Sequence, residues 1–217
     1  MFNGLIREIG KILKKEQCRL KIASTLQPKI GDSVAVNGVC LTVVWSSSTA
    51  FEVELSSETI SRIAIENFQQ GCKVHLEPPL EFGKPIDGHL MQGHIDGIGI
   101  VKGLEPMEQG WRLFLSLPSE LTRLTPPKGS IGVDGVSLTI AQVGLEEVEI
   151  GVIPHTYNTT LISTYRPGQR VNIETDLFAR YLAHLMERIE LKNRKGAFFE
   201  KKNKLLTQWE EALVYWW

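Results

Sequence analysis

The side chains best suited to proton transfer in this sequence occur where two matching segments differ. Cys40 in the first segment faces Ser137 in the second, and Leu5 faces His94 in a neighbouring matched block. Thiol, hydroxyl and imidazole groups are common acids, bases and nucleophiles in enzymes. If each segment forms an equivalent pocket, the two pockets would bind similar ligands with different proton-transfer groups. Such an arrangement suits a reaction between two like molecules.

Further polar positions belong to the same comparison. Glu58 faces His155, whereas Thr42 and Thr139 are identical. A small buried thiol is the ordinary interpretation of a cysteine in an apolar strand, and β-branched residues are common in strands. The residues alone therefore leave both a functional and a structural interpretation of Cys40 and the two threonines open.

The matching segments are copies of one unit. Residues 33–77 align with residues 130–174 without a gap and share twelve identical positions. Residues 1–12 align with residues 90–101 at a slightly shorter offset and share four more. A repeat of about 90 residues is longer than a solenoid or propeller unit, so each copy should form a small domain with its own core.

Each copy alternates apolar and polar residues in short runs. The dipeptides Asn37-Gly38 and Asp134-Gly135 interrupt these runs, and both favour a hairpin turn with positive φ. Short strands at this spacing, with little helical periodicity, predict an all-β fold of two tandem, similar antiparallel β-barrels. Asp134 is best explained by turn chemistry, because Asn37 occupies the matching place.

Breaks in the strand pattern set the domain bounds. Proline and glycine are frequent between 78 and 88, which is typical of a connection. The sequence therefore predicts one barrel at 1–89 and a second at 90–176. In each copy a polar turn is predicted after the third alternating run, ending at Thr59 or Thr156.

A helical pattern begins after the second copy. Between 177 and 189 the apolar residues follow one stripe, with charged residues opposite. This stripe could be buried against the same chain or drive subunit association. The tail contains Trp209, Trp216 and Trp217 and would be a second short helix or a loose segment. Residues 177–217 thus form a third predicted part.

Composition limits the class of protein. The chain has 217 residues, of which 42% are hydrophobic and 23% charged, and its formal net charge is −1. This charge gives no electrostatic reason to bind nucleic acid or an anionic membrane. The three cysteines contain no CxxC pair, which argues against a disulfide framework or a zinc site. With no run of about 18 apolar residues and no secretory signal, we expect a cytoplasmic protein.

Several motifs occur together and in a set order. They are residues 1–6 (MFNGLI), 37–43 (NGVCLTV), 88–97 (GHLMQGHIDG), 128–139 (KGSIGVDGVSLT) and 153–156 (IPHT). Together they resemble the riboflavin synthases of the alpha-chain type, members of the lumazine-binding family. The resemblance runs in register from residue 1 to about residue 176. Beyond residue 191 the basic, Trp-rich tail matches nothing in this family.

The resemblance implies a fold, an assembly and a reaction. Each chain would form two Greek-key antiparallel β-barrels followed by a C-terminal α-helix, and the helices would meet at the centre of a homotrimer. The working site would lie between the N-terminal barrel of one subunit and the C-terminal barrel of its neighbour. Two molecules of 6,7-dimethyl-8-ribityllumazine would give riboflavin and 5-amino-6-(D-ribitylamino)uracil, the last step of riboflavin biosynthesis. Four carbons would move without a metal or redox cofactor, and association with lumazine synthase is a further expectation.

The resemblance also implies which residues bind substrate. The first pocket would use Gly4, Leu5, Ile6, Cys40, Leu41, Thr42, Glu54, Leu55, Ser56, Ser57, Glu58 and Thr59. The second pocket would use Gly93, His94, Ile95, Lys128, Ser137, Leu138, Thr139, Gly151, Val152, Ile153, Pro154, His155 and Thr156. Hydroxyls and backbone amides suit the neutral ribityl and ring-carbonyl groups of the substrate.

Removal of a proton from the C7 methyl group of the lumazine requires a base within reach. The catalytic set implied by the motifs and by the differences between copies is His94, Ser137, Thr139, Asp176, Cys40 and Thr42. We expect the first four to handle proton transfer and the last two to support the partner substrate. Which pocket donates the four-carbon unit, and whether a base or a nucleophile starts the reaction, stays open.

Two other functions compete with this one. A fluorescent antenna protein that holds a lumazine or flavin would share the duplication without turning its ligand over. The second copy keeps His94, Lys128, Ser137 and Thr139, which favours an enzyme with two competent pockets. A flavin-reductase-like pair of barrels would need a nicotinamide, and no phosphate-cradling glycine loop followed by a helix is visible.

Overall fold

The computed structural model describes residues 1–191, and the twelve strands within them form two closed antiparallel barrels. The first barrel contains β1 (Glu8–Glu16), β2 (Arg19–Ala23), β3 (Ser33–Val36), β4 (Val39–Ser46), β5 (Ala50–Glu54) and β6 (Lys73–Glu77). The second contains β7 (Gly97–Met107), β8 (Gly110–Ser116), β9 (Ser130–Val133), β10 (Val136–Val143), β11 (Glu147–Val152) and β12 (Arg170–Thr175). The all-β prediction of two tandem barrels is confirmed.

Both barrels have the same strand order. The first runs β1-β2-β5-β4-β3-β6 around the ring, and the second runs β7-β8-β11-β10-β9-β12. Strands β3, β4 and β5 follow one another as neighbours, and β2 lies beside β5, which is a Greek-key arrangement. The duplication in the sequence is therefore a duplication of topology.

The two glycine-containing hairpins turn as the sequence predicts. Asn37 and Gly38 have φ values of 45° and 78°, and Asp134 and Gly135 have 44° and 83°. Two consecutive positive φ values are the mark of the type I′ hairpin turn. A Cβ atom on Gly38 would lie 2.6 Å from the backbone nitrogen of Gly135, so the hairpins meet where the barrels touch.

Each barrel has its own apolar core. Phe51 and Phe68 are fully buried in the first barrel, and Leu113 and Ile131 are fully buried in the second. The buried residues alternate with exposed ones along the strands, so one face of each strand fills the interior. Functional side chains must therefore come from the outward faces or from the loops.

A short helix follows β5 in the first barrel and β11 in the second. These helices are α1 (Ser57–Arg62) and α3 (Pro154–Thr159), with α2 (Ser119–Thr122) elsewhere in the second barrel and 3-10 turns at Ile65–Phe68 and Leu161–Thr164. The prediction of simple polar turns ending at Thr59 and Thr156 is wrong. Ser56 caps α1 by accepting a hydrogen bond from the backbone N–H of Thr59 at 3.0 Å, and Pro154 begins α3. A capping serine and an initial proline both favour helix starts.

A second compact unit begins at Phe178. Residues 178–191 of this unit belong to a helix that starts at residue 177, which confirms the predicted helix. More than half of the surface of each large apolar side chain on its stripe is exposed: Phe178, Tyr181, Leu182, Leu185, Met186 and Ile189. The prediction for Trp209, Trp216 and Trp217 lies outside the described residues. Within residues 1–191, no helix combines the length and the apolar composition of a membrane-spanning segment.

Candidate functional site

A cavity of about 430 Å³ lies where the first barrel meets a loop of the second copy. The barrel contributes Val39, Cys40, Glu58, Thr59, Arg62 and Ile63, and the loop contributes Gly93, His94, Ile95 and Asp96. We call this the Cys40 cavity. Its volume falls within the usual range of small-molecule sites, which is about 300–1,000 Å³.

The wall of the Cys40 cavity is the outward face of β4. Leu41 is buried in the barrel core, so Cys40 and Thr42 on either side of it point outward. The same alternation in β10 turns Ser137 and Thr139 outward, and we call this pair the Ser137 face. Cys40 is thus partly exposed rather than a buried core thiol.

The segments that start at the ends of β5 and β11 lie beside these outward residues. Glu54 pairs with Thr42 across the first barrel, and Gly151 pairs with Thr139 across the second. The two stretches predicted to bind substrate, 54–59 and 151–156, therefore start at matching places. Some predicted binding residues nevertheless have side chains inside the cores: Leu41, Leu55, Leu138 and Val152. Only their backbone groups can reach a ligand on the outer face.

The loops of the two copies are exchanged between the barrels. The backbone N–H of Cys40 donates to the carbonyl of Gly93 at 2.9 Å, and the N–H of Ser137 donates to the carbonyl of Gly4 at 2.9 Å. Both glycines have positive φ, and an added Cβ would lie about 2.5 Å from the facing side chain's Cβ (2.6 Å for Gly93, 2.5 Å for Gly4). Close backbone approach in this conformation requires glycine.

Core packing shows the same exchange. Ile6 packs against the core of the second barrel, and Ile95 packs against the core of the first. The sequence prediction placed residues 4–6 with Cys40 and residues 93–95 with Ser137, and this grouping is wrong. An alignment of two copies shows which positions correspond, but it does not show which barrel a loop contacts. Each copy contributes residues to the site on the other barrel.

Two buried glutamates hold the exchanged loops. Glu77 accepts hydrogen bonds from the backbone N–H groups of Asn3 and Gly4 at 2.9 and 3.1 Å. Its counterpart Glu174 accepts two from the backbone at 92–93, at 2.7 and 2.9 Å. Burial raises the pKa of Glu77 to about 7, although these N–H groups favour the ionised form. The alignment shows the two glutamates as identical but does not reveal this role.

The side chain that contacts Ser137 is a histidine to which the sequence assigns no role. His89 Nδ1 lies 2.8 Å from Ser137 Oγ. The histidine is 8% exposed, and its Nε2 atom forms no hydrogen bond with any residue from 1 to 191. Burial lowers the pKa of His89, and the negative charge of Asp176 opposes this shift. A neutral imidazole at this distance can accept the hydroxyl proton of Ser137.

One signal for His89 was present in the sequence. It lies in the glycine-containing motif at 88–97, next to His94. However, the second copy aligns with the first only from residue 90, so the comparison of copies does not reach His89. The structure separates the two histidines: His94 is exposed at the Cys40 cavity, whereas His89 is buried against Ser137.

Lys128 adopts a backbone conformation that favours glycine. Its φ is 64°, and the matching residue of the first copy is Gly31 with a φ of 93°. A side chain in this region costs on the order of 1 kcal/mol. The lysine side chain is exposed and does not line the Cys40 cavity. The strain is present only in the copy that carries the lysine.

The helices at the two sites differ in charge. On α1, Glu58 accepts a hydrogen bond from Arg62 Nε at 2.7 Å, and both side chains line the Cys40 cavity. The matching residues on α3 are His155 and Thr159, which carry no such pair. Within residues 1–191 no group of three His, Cys, Asp or Glu side chains is arranged to bind a metal ion.

Comparisons with known proteins agree with this architecture. The family model of the lumazine binding domain matches residues 3–78 and 92–176. A riboflavin synthase of Bacillus amyloliquefaciens is 36% identical over 197 residues, which covers 88% of this chain and 92% of that protein. A riboflavin synthase of Photobacterium phosphoreum is 36% identical over 194 residues, with 86% and 89% covered. The chain belongs to the lumazine-binding domain family, and within it to the riboflavin synthases.

Solved structures show the same fold. The crystal structure of LumP complexed with riboflavin has a TM-score of 0.72 and 26% identity, and the match covers 81% of this chain and 99% of that chain. The crystal structure of LumP complexed with flavin mononucleotide has a TM-score of 0.66 and 25% identity, with the same coverage. Two barrels in tandem thus occur in proteins that bind flavins.

Proposed function

We propose that this chain converts two molecules of 6,7-dimethyl-8-ribityllumazine into riboflavin and 5-amino-6-(D-ribitylamino)uracil. The observation that carries the proposal is the pair of matching outward faces, Cys40 with Thr42 and Ser137 with Thr139. Each face would bind one lumazine, and the reaction consumes two. The similarity to riboflavin synthases over 86–88% of the chain supports this substrate.

Holding the two lumazines together would supply much of the rate. One substrate donates a four-carbon unit and the other accepts it, so both rings must lie close and correctly oriented. Orientation of two reactants can lower a barrier by about 7–11 kcal/mol. Neutral hydroxyls such as those of Thr42 and Thr139 suit the ring carbonyls and the ribityl chain.

Ser137 and His89 would move the proton of the C7 methyl group. In this step the Ser137 oxygen takes the methyl proton while its own proton passes to His89 Nδ1, 2.8 Å away. The lowered pKa of His89 leaves the imidazole neutral and ready to accept, and the charge of Asp176 would stabilise the imidazolium. His94 would instead serve the lumazine in the Cys40 cavity, because it lines that cavity.

A homotrimer would complete the site. The apolar stripe between Phe178 and Ile189 is exposed, and its burial between subunits would favour association. The lumazine on the first barrel of one subunit would then face the lumazine on the second barrel of its neighbour. A cytoplasmic location agrees with three cysteines that are all free thiols, and association with lumazine synthase stays part of the proposal.

A turnover assay with the lumazine as the only added compound tests the proposal. Riboflavin absorbance should rise, with one riboflavin formed for every two lumazines consumed. The structural similarity to LumP makes a non-catalytic antenna the second candidate function. An antenna would show bound fluorescence and no product, and that result would overturn the enzymatic proposal.

A further inference from the structure

The charges around the Cys40 cavity bear on which flavins it admits. Three of its lining residues are charged, namely Glu58, Arg62 and Asp96. Glu58 accepts the hydrogen bond from Arg62 Nε at 2.7 Å. Asp96 accepts two hydrogen bonds from Thr175, from its N–H at 2.8 Å and its hydroxyl at 2.7 Å. The lining therefore carries two carboxylates and one guanidinium.

We propose that Glu58 determines the specificity of the Cys40 cavity for flavins and lumazines with a free ribityl chain, against those with a ribityl phosphate. This inference rests on the proposed function, because it concerns the same cavity and ligand class. A phosphate monoester carries a charge of about −1.5 to −2 at neutral pH. The cavity's lining carboxylates repel that charge, and the cation that would attract it is already paired with Glu58.

The dimensions of the cavity set how far the effect of Glu58 reaches. A cavity of about 430 Å³ is roughly 10 Å across, and the Debye length at physiological ionic strength is about 8 Å. A phosphate bound on the side of the cavity lined by Glu58 and Arg62 would lie within a Debye length of both charges. Glu58 bonds Nε of Arg62, so its main effect on a phosphate is through charge. Without Glu58, the guanidinium charge of Arg62 would be uncompensated, and guanidinium groups bind phosphate well.

The second copy lacks this ion pair. His155 and Thr159 occupy the places of Glu58 and Arg62, and they form no ion pair. The discrimination would therefore belong to the first-barrel site alone. Such discrimination would keep flavin mononucleotide from competing for the site of a riboflavin-forming enzyme. Flavin mononucleotide has the same ring system as riboflavin and differs from it by one phosphate.

The experiment compares the binding of riboflavin and flavin mononucleotide to the full-length protein by fluorescence titration at low ionic strength. At the first-barrel site, identified as the binding step that changes in Glu58→Gln, we expect the wild-type protein to bind riboflavin at least about fivefold more tightly than flavin mononucleotide. Glu58→Gln should tighten the binding of flavin mononucleotide to this site by about three- to tenfold and so raise the ratio of its affinity to that of riboflavin. The gain should shrink at about 0.5 M salt, because the effect is electrostatic. Arg62→Gln should weaken the binding of flavin mononucleotide further.

Glu16→Gln is the matched control. It removes the same charge from the same barrel, but Glu16 pairs with Lys14 and does not line the Cys40 cavity. Its ratio of the two affinities should equal that of the wild type. Equal affinities for the two flavins in the wild type, or an unchanged ratio in Glu58→Gln, would overturn the inference alone. A wild-type protein that binds neither riboflavin nor the lumazine would overturn the proposed function instead.

Discussion

Cys40 and Ser137 hold the same place in the two barrels but have different neighbours. Ser137 contacts the buried imidazole of His89, and Cys40 lies in a cavity with the exposed His94. A neutral imidazole 2.8 Å from a hydroxyl is suited to proton transfer. The difference between the copies thus extends from one side chain to the histidine beside it.

Ser137→Ala should lower turnover of the lumazine by about 100-fold or more while changing the KM little. The substitution removes the proton-transfer hydroxyl and leaves the outward face of β10 in place. Steady-state kinetics of riboflavin formation gives both constants. Ser119→Ala, at the exposed start of α2, should behave like the wild type. Full turnover by Ser137→Ala would contradict the proposed role.

Lys128→Gly tests whether the lysine side chain contributes to turnover or only strains the backbone. Glycine relieves the positive φ of 64°, so the free energy of unfolding should stay constant or rise by up to about 1 kcal/mol. Turnover should fall at least about tenfold if the lysine binds substrate. Urea denaturation and the turnover assay measure the two effects. A stabilised variant with wild-type activity would show that the strained lysine has no part in the reaction.

At the scale of elements, the exchanged loops join the barrels into one functional unit. The loop at 92–93 is held by Glu174 from its own barrel and by Cys40 from the other. The loop at 3–4 is held in the same way by Glu77 and Ser137. A change in either loop should therefore affect the site on the opposite barrel.

Gly93→Ala should destabilise the protein more than Gly71→Ala. Both glycines have positive φ, so each substitution carries a backbone strain on the order of 1 kcal/mol. At Gly71 nothing lies within 4 Å of the added Cβ, whereas at Gly93 it would lie 2.8 Å from the backbone nitrogen of Cys40. Urea denaturation gives both stabilities, and lumazine titration should show weaker binding only for Gly93→Ala. Equal losses in both variants would contradict close packing of the loop.

At the scale of the whole molecule, buried side chains link the barrels. His75 Nδ1 donates to the carbonyl of Asp134 at 2.8 Å, and its Nε2 accepts from the backbone N–H of Leu161 at 2.7 Å. These partners require the neutral imidazole with the proton on Nδ1. Burial lowers the pKa of His75 to about 4, although the bond to the carbonyl opposes the shift.

The matching residue of the second copy makes the same two contacts with an amide. Asn172 Nδ2 donates to the carbonyl of Asn37 at 2.9 Å, and its Oδ1 accepts from the N–H of Ala64 at 2.8 Å. The barrels are therefore joined by two equivalent side chains, one titratable and one not. We therefore expect an asparagine at position 75 to keep both hydrogen bonds.

His75→Asn should remove a loss of stability in acid. The folded protein excludes a proton from His75, so wild-type stability falls as the pH drops from about 6.5 to about 4, by about 3 kcal/mol. Above pH 7 this group has no effect. Urea denaturation of both proteins between pH 4 and pH 8 gives the difference in unfolding free energy. A difference that stays constant with pH would contradict a buried neutral histidine.

The unfolding free energy of the wild type must be compared with that of His75→Asn at each pH, because other buried acids change stability with pH in the opposite direction. Burial raises the pKa of Glu77 and of Asp134 to about 7. Each binds a proton more readily in the folded state, so its contribution is complete below about pH 4 and declines as the pH rises towards 7. Both acids are present in the wild type and in His75→Asn, so their effect cancels.

Leu185→Glu tests whether the C-terminal helix assembles the proposed trimer. The substitution places a charge on the exposed apolar stripe, where burial of each leucine is worth about 1.5–3 kcal/mol. We expect a monomer by light scattering and a large loss of turnover, with the barrels still folded by circular dichroism. Arg188→Glu, on the charged side of the helical pattern, is the control. A monomer with wild-type turnover would contradict a site shared between subunits.

Local patterns in the sequence were enough to predict much of the fold. The alternation around Asn37-Gly38 and Asp134-Gly135 predicted both hairpins, because strand side chains and positive-φ turns obey local rules. The duplication predicted two equivalent barrels, and the stripe after 177 predicted the helix. Asp134 is a turn residue as predicted, but it also accepts a hydrogen bond from the hydroxyl of Tyr165 at 2.7 Å, which its turn role did not suggest.

The sequence by itself determined which residues repeat, and therefore where two similar faces form. Only the tertiary structure decided that residues 4–6 and 93–95 cross to the opposite barrels and that His89 contacts Ser137. Periodicity arises from backbone geometry within a few residues, so it can be read along the chain. Contacts between residues 48 to 133 positions apart depend on how two closed barrels pack together, and no local pattern encodes that packing.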